Sequence, residues 1–341
     1  MFFIAGFLSY VPAKNNFHMR KNFSLKICSL FIFSVVYFNT NAQDTKPDTV
    51  RIGIFITSIH DIDFKQKEYS VNFWIWLKYK NRDFDFYNNL EVPQAKTVTK
   101  SFVTIDSSDN RIFMQMKLQC VMKDSWRISN FPFDRQSLRI AFENSQFDSR
   151  SMVFVADTVG QHYDSRFTLR GWSIDSCLLS TGIKMYETGF GDEELAKPHT
   201  EYSSFRIRLV VSREASGLFW KMFLGMYLAF LISYVCFYIH ADGMDSRFGL
   251  TVGALFAVIG NKYIIDSALP ESSSFTLVDL LHGITLFFIF TTIAANAYSL
   301  NLIKKNKAAK AYKFDMAASM IVLILYIILN VWFIWQASKG N

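Results

Sequence analysis

Four long apolar segments fill the last third of this chain, and they constrain its fold more than any other feature. They cover residues 218–239, 248–269, 275–303 and 316–335. A helix needs about 20 predominantly apolar residues to cross a bilayer. The first, third and fourth segments are apolar and aromatic enough to do so. Aromatics make up 17% of the chain, 35 of the residues being Phe, and the long uninterrupted apolar stretches gather in these four segments. This is the distribution of a membrane protein rather than of one large soluble core. The net charge of +7 comes largely from Lys and Arg near the N-terminus and in one loop between apolar runs. It therefore speaks to topology, and no nucleic-acid partner is expected.

The N-terminus reads as a secretory signal over residues 1–42, with its parts in 19–42. Arg20, Lys21 and Lys26 form a basic region, 27–38 a short apolar stretch, and Thr40, Asn41 and Ala42 small residues before a cut. The alternative is a first membrane helix, but the apolar run is too short to span. Met19 is an alternative start. Cys28 would leave with the signal, and Cys236 lies in an apolar segment. Cys120 and Cys177 follow no known spacing and read as free buried thiols, with pairing as the alternative.

Residues 43–217 read as a β-sandwich domain. Short runs rich in β-branched and aromatic residues, at 50–59, 69–80, 111–122, 137–142, 168–180 and 202–211, alternate with polar turns. In 71–79, alternation puts Phe73, Ile75, Leu77 and Tyr79 on one face and Trp74 and Trp76 on the other. The first is a core face. Two tryptophans opposite it need a second role, an interface or a pocket.

Residues 218–341 read as an all-α domain of four spans, at about 218–240, 247–269, 275–303 and 315–337. The second span is unlike the rest. Gly249, Gly253, Phe256, Gly260, Tyr263 and Ser267 recur at alternating spacings of four and three, which keeps them on one helical face. Asp245 continues that face one turn earlier. Leu250, Leu255, Val258, Ile259 and Ile265 flank it and suit packing. Glycines at such spacing also serve close helix packing. A stripe that includes an acid, a tyrosine and a serine fits a water-lined face better. Lys304, Lys305, Lys307, Lys310 and Lys313 crowd the loop after the third span and mark it cytoplasmic. The sandwich is then outside, in the periplasm or extracellular space.

A single short motif ties the halves together. Phe131-Pro132-Phe133-Asp134-Arg135-Gln136 resembles the Phe-Pro-(aromatic or Met)-Asp-x-Gln signature of pentameric ligand-gated ion channels, the Cys-loop receptors. In animal members two cysteines close this loop. Their positions here hold Asp124 and Leu138, which resembles the bacterial branch that lacks the bond. The resemblance covers nearly all of 49–338. It implies a homopentamer around a central pore in the cell inner membrane, opened by a small-molecule or proton agonist, passing cations, and needing no cofactor. It implies that Leu269-Pro270 ends the pore helix, that the stripe from Asp245 to Ser267 lines the pore, that Asp245 selects and that Phe256 is the gate. Arg247 and Lys262 stand near the stripe and oppose the field of Asp245. Trp74, Phe147, Tyr186, Phe190 and Tyr202 correspond to agonist-site aromatics, with the acidic hairpin 187–200 as a flap. Asp134 and Arg213 correspond to an ion pair that, with Phe131, Pro132 and Pro270, couples the two domains. The turn 61–67 and the loop 269–274 complete that contact zone.

Other classes are less well supplied. There is no Gly-x-Ser-x-Gly elbow, no phosphate-cradling glycine loop and no His-x-x-x-His spacing, so an enzyme is not expected. A transporter would show internal repeats. A non-conducting, membrane-anchored β-sandwich sensor is the alternative, but an anchor needs no polar stripe.

Overall fold

The computed structural model describes residues 46–108, 110–191, 199–240 and 243–339. All its strands and helices belong to one unit, Pro47–Asn341; the other, Met1–Lys46, lies outside the described residues but for Lys46. The signal at 1–42 and the hairpin acids Asp192, Glu193 and Glu194 therefore fall outside what the structure describes.

The strands come first: β1 Asp48–Asp63, β2 Glu68–Tyr79, β3 Leu90–Glu91, β4 Ala95–Ser108, β5 Arg111–Lys123, β6 Arg135–Asn144, β7 Met152–Ala156, β8 Trp172–Tyr186 and β9 Thr200–Arg213. One sheet runs β4-β5-β2-β1-β7 and the other β3-β6-β9-β8. Neighbours are antiparallel except β1 and β7. The alternation in β2 explains why the sheets meet. Phe73, Ile75 and Leu77 are fully buried, while Trp74 and Trp76 point the other way and stay half-buried. Phe73 meets Phe142 of the opposite sheet edge-on at 5.5 Å. The Tyr69 hydroxyl donates to the Arg139 carbonyl at 2.9 Å, and burial raises its pKa well above the usual phenol value. Each large apolar side chain so buried contributes about 1.5–3 kcal/mol. Cys120, Cys177 and Cys236 are free, and burial pushes the Cys120 thiol up to about 12.

The structure corrects some boundaries. β4 is exposed along most of its length on both faces, so it carries no alternation to read. β7 is only 5 residues long. β8 starts at Trp172, later than 168, because Gly171 turns the chain at φ +78° and the Trp172 N–H donates to the Leu169 carbonyl at 2.9 Å.

Four helices follow: α1 Ala215–Val235, extended by a 3₁₀ turn Cys236–Tyr238, then α2 Met244–Ala268, α3 Leu277–Lys304 and α4 Ala308–Lys339. All are long and apolar enough to cross a membrane. α2 stops where Leu269 turns extended, as a residue before proline prefers. Thr276 and Asp279 then form a reciprocal capping box that starts α3. α4 begins at Ala308, before the expected 315, because Ala308, Ala309 and Ala311 favour helix. Lys310 and Lys313 consequently stand on its first turns and not in the loop.

Candidate functional site

The stripe on α2 is exposed throughout. Asp245, Gly249, Gly253, Gly260 and Ser267 are all exposed in the single chain, and Phe256 and Tyr263 are 66% and 75% exposed. The opposite face, with Arg247, Thr251, Ala254, Val258 and Ile265, is buried against the other helices. A Cβ added at Gly249, Gly253 or Gly260 would meet nothing within 4 Å. These glycines therefore serve no close packing among the described residues. They leave room along an outward face on which Phe256 is the large apolar side chain between Gly253 and Gly260.

Two cations near that face are held by acids. Lys262 Nζ lies 2.5 Å from Asp266 and 2.8 Å from Asp279. Arg247 Nη2 donates to Asp315 of α4 at 2.9 Å, with both side chains buried. Neither positive charge faces the stripe unpaired. Asp315 was not singled out in the sequence, where it is one acid near the start of an apolar run.

The motif loop sits where the sandwich meets the helices. Arg213 Nε donates to Asp134 Oδ1 at 2.7 Å and Nη2 to Oδ2 at 3.2 Å. Asp134 is buried, and Gln136 donates to its Oδ2 at 2.6 Å. The guanidinium is also boxed by three rings: its Cζ lies 4.0 Å from the centroid of Trp172, 4.6 Å from Phe64 and 4.9 Å from Phe131. A planar cation satisfies a carboxylate in its own plane and aromatic faces above and below, which lysine cannot do. Phe64 lies in the turn 61–67 already expected at this junction, whereas Trp172, the first residue of β8, carried no sequence signal for this role.

The same loop touches the helices directly. The Leu277 N–H, at the start of α3, donates to the Ser129 carbonyl at 2.8 Å. The rings of Phe133 and Phe219 stand 5.6 Å apart. Phe131 and Pro132 are buried, and Phe131 packs with Phe219, Phe223 and Leu277. A cavity of about 680 Å³ is lined by Asp61, Phe64 and Arg213 on one side and by Ile264, Ala268 and Leu269 on the other. Lys67, Pro270 and Glu271 line a smaller one beside it, so the turn 61–67 and the loop 269–274 share this junction.

At the sandwich surface three expected aromatics come together. Tyr186, Phe190 and Tyr202 lie with ring centroids 5.4–6.2 Å apart, all edge-on. The Tyr186 hydroxyl donates to Glu143 at 2.6 Å; burial, then that carboxylate, raises its pKa. Phe147 does not join them in a ring contact. It lies edge-on to Phe84 at 4.9 Å and packs on the sandwich core. Trp74 belongs to the other sheet and stands near Phe102 of β4, at 6.2 Å. Trp76 is accounted for locally. Its ring lies over Gly53, where a Cβ would come within 2.3 Å of it, and its N–H donates to Asp157 at 3.0 Å.

No family model matches the chain. Individual relatives do. The chain is 21% identical over 308 residues to the proton-gated ion channel of Gloeobacter violaceus, covering 84% of this chain and 82% of that one. It is 24% identical over 290 residues to the neuronal acetylcholine receptor subunit non-alpha-2 of Carassius auratus, covering 76% and 59%. It is 21% identical over 321 residues to the glutamate-gated chloride channel of Drosophila melanogaster, covering 81% and 67%. It thus spans most of the first relative and about three fifths to two thirds of the other two.

Proposed function

Since the chain belongs to the family of pentameric ligand-gated ion channels, we propose that it is one of five identical subunits around a cation-conducting pore. Its four apolar helices make it a multi-pass membrane protein. The observation that carries the pore reading is the face of α2, outward along its whole length and headed by an acid. Five copies with these faces turned inward would line a lumen with glycine, rings of Phe256, Tyr263 and Ser267, and an Asp245 ring at the cytoplasmic mouth. Rings of carboxylates concentrate cations. The pairing of Arg247 and Lys262 with acids removes the nearest opposition.

The agonist site lies between sandwiches, with Tyr186, Phe190 and Tyr202 on one and Trp74 on its neighbour. Aromatic faces beside Glu143 suit a small cation. Binding favours one arrangement of the sandwiches. The junction transmits that shift through two joints: the Ser129–Leu277 hydrogen bond, and the cavity shared by the turn 61–67 and the end of α2.

The relatives include a chloride channel, so charge selectivity is the point to measure. The experiment is current recording from purified protein in liposomes, during a screen of pH and small amines. In asymmetric potassium chloride the reversal potential is expected to follow potassium, and Asp245→Asn to weaken that preference. Reversal that follows chloride would overturn the cation reading.

A further inference from the structure

Arg247 is only 1% exposed, yet it stands two residues after Asp245. That is roughly 3 Å of helix rise and about 200° of rotation, which places it on the reverse of the stripe. Every part of the helix bundle helps to hold it there. Its Nε donates to the carbonyl of Ile239, just beyond α1, at 3.0 Å. Nη1 reaches Asn296 of α3 at 3.3 Å, and Nη2 reaches Asp315 of α4 at 2.9 Å. Ser299 of α3 donates to the same Asp315 oxygen at 3.0 Å. Asp315 Oδ1 and Asn296 Nδ2, both buried, have no hydrogen-bond partner among the described residues.

Stability alone is a poor account of this arrangement. A buried ion pair costs desolvation that well-packed apolar side chains avoid, and two orphaned polar atoms add to that cost. What the network accomplishes is to keep a permanent positive charge off the face that carries Asp245. We propose that Asp315, on a helix that packs mainly on α3, determines charge selectivity by holding the Arg247 guanidinium on the buried side. The Asp245 ring is thereby left unopposed. This rests on the pore reading above. Without Asp315 the buried guanidinium keeps the Ile239 carbonyl and Asn296 but loses its counter-charge, and its long stem turns it to the nearest water, at the mouth.

The test uses the full-length protein in liposomes, in the Phe256→Ser background so that current flows without agonist, under a potassium chloride gradient. Adding Asp315→Asn is expected to lower the potassium-to-chloride permeability ratio roughly tenfold, the effect of setting five cations beside five carboxylates. Adding Arg247→Gln to that variant should restore the ratio to within about twofold of the starting protein, because the stranded charge is gone. Measurable current with an unchanged ratio in the Asp315→Asn protein overturns the proposal, since the freed arginine has then gone to the lipid side. Where Asp315→Asn does not reach the membrane, the Arg247→Gln, Asp315→Asn protein decides. A ratio and conductance within about twofold of the starting protein show that the paired arginine was silent; a rise of more than about threefold shows that it already reached the pore. Chloride-following current before Asp315 is touched would sink the cation reading instead.

Discussion

Arg213→Ala is expected to destabilise the junction by about 3–5 kcal/mol, the scale for breaking a buried ion pair by removing one partner. The change strands Asp134, whose side chain is 1% exposed, with Gln136 as its remaining side-chain partner. It also empties the space between Trp172, Phe64 and Phe131. Asp134→Ala should cost less, because the stranded guanidinium keeps three aromatic faces. Arg213→Lys should fall between the wild type and Arg213→Ala, keeping the charge but losing the fork and the flat stacking surface. Thermal unfolding of the detergent-purified oligomer reads the stability terms, and the size of evoked currents reads the coupling. The two alanine changes should be non-additive by at least about 1 kcal/mol, as residues sharing one contact are. Additive losses would show that the two side chains do not act as partners.

Phe256→Ser is expected to convert a resting channel into one that leaks without agonist. A ring of apolar side chains closes a pore by expelling water, and a hydroxyl of smaller volume lets water stay. The geometry makes the effect large. Phe256 is 66% exposed on a face where Gly253 and Gly260 leave open space on either side. On the pore reading this ring is the apolar layer between two glycine layers, and Tyr263, about two turns further along and 75% exposed, is the next large side chain on that face. Potassium efflux from liposomes in the absence of any agonist measures this. A variant that inserts normally yet stays as tight as the parent would move the constriction elsewhere, with Tyr263 the next side chain to change.

Much of this was legible in the residues because it is written in local periods. The four spans follow from length and apolarity, and the α2 face from spacings of three and four. The core face of β2 follows from simple alternation. The Asp134–Arg213 pair was reached only through the resemblance, since nothing local joins residues 79 apart in sequence. What stayed hidden depends on tertiary placement. β4 is exposed on both sides and so carries no burial pattern. The rings around Arg213 come from three separate segments. Phe147 carried the same aromatic signal as Tyr186 and Tyr202, and only the fold shows that it faces Phe84. Arg247 looked like a charge opposing Asp245, until α4 brought Asp315 against it.

The central claim, that the exposed face of α2 lines a conducting pore, is tested most directly by thiol access during current recording. Gly253→Cys and Thr251→Cys are placed singly in the Phe256→Ser protein, and a charged, water-soluble thiol reagent is applied. Gly253 is exposed with open space beside it, whereas Thr251 is fully buried on the opposite face. The account predicts that the reagent blocks the Gly253→Cys current and leaves the Thr251→Cys and cysteine-unaltered proteins conducting. Block of Thr251→Cys with Gly253→Cys unaffected, or no current from any of the three, would contradict it.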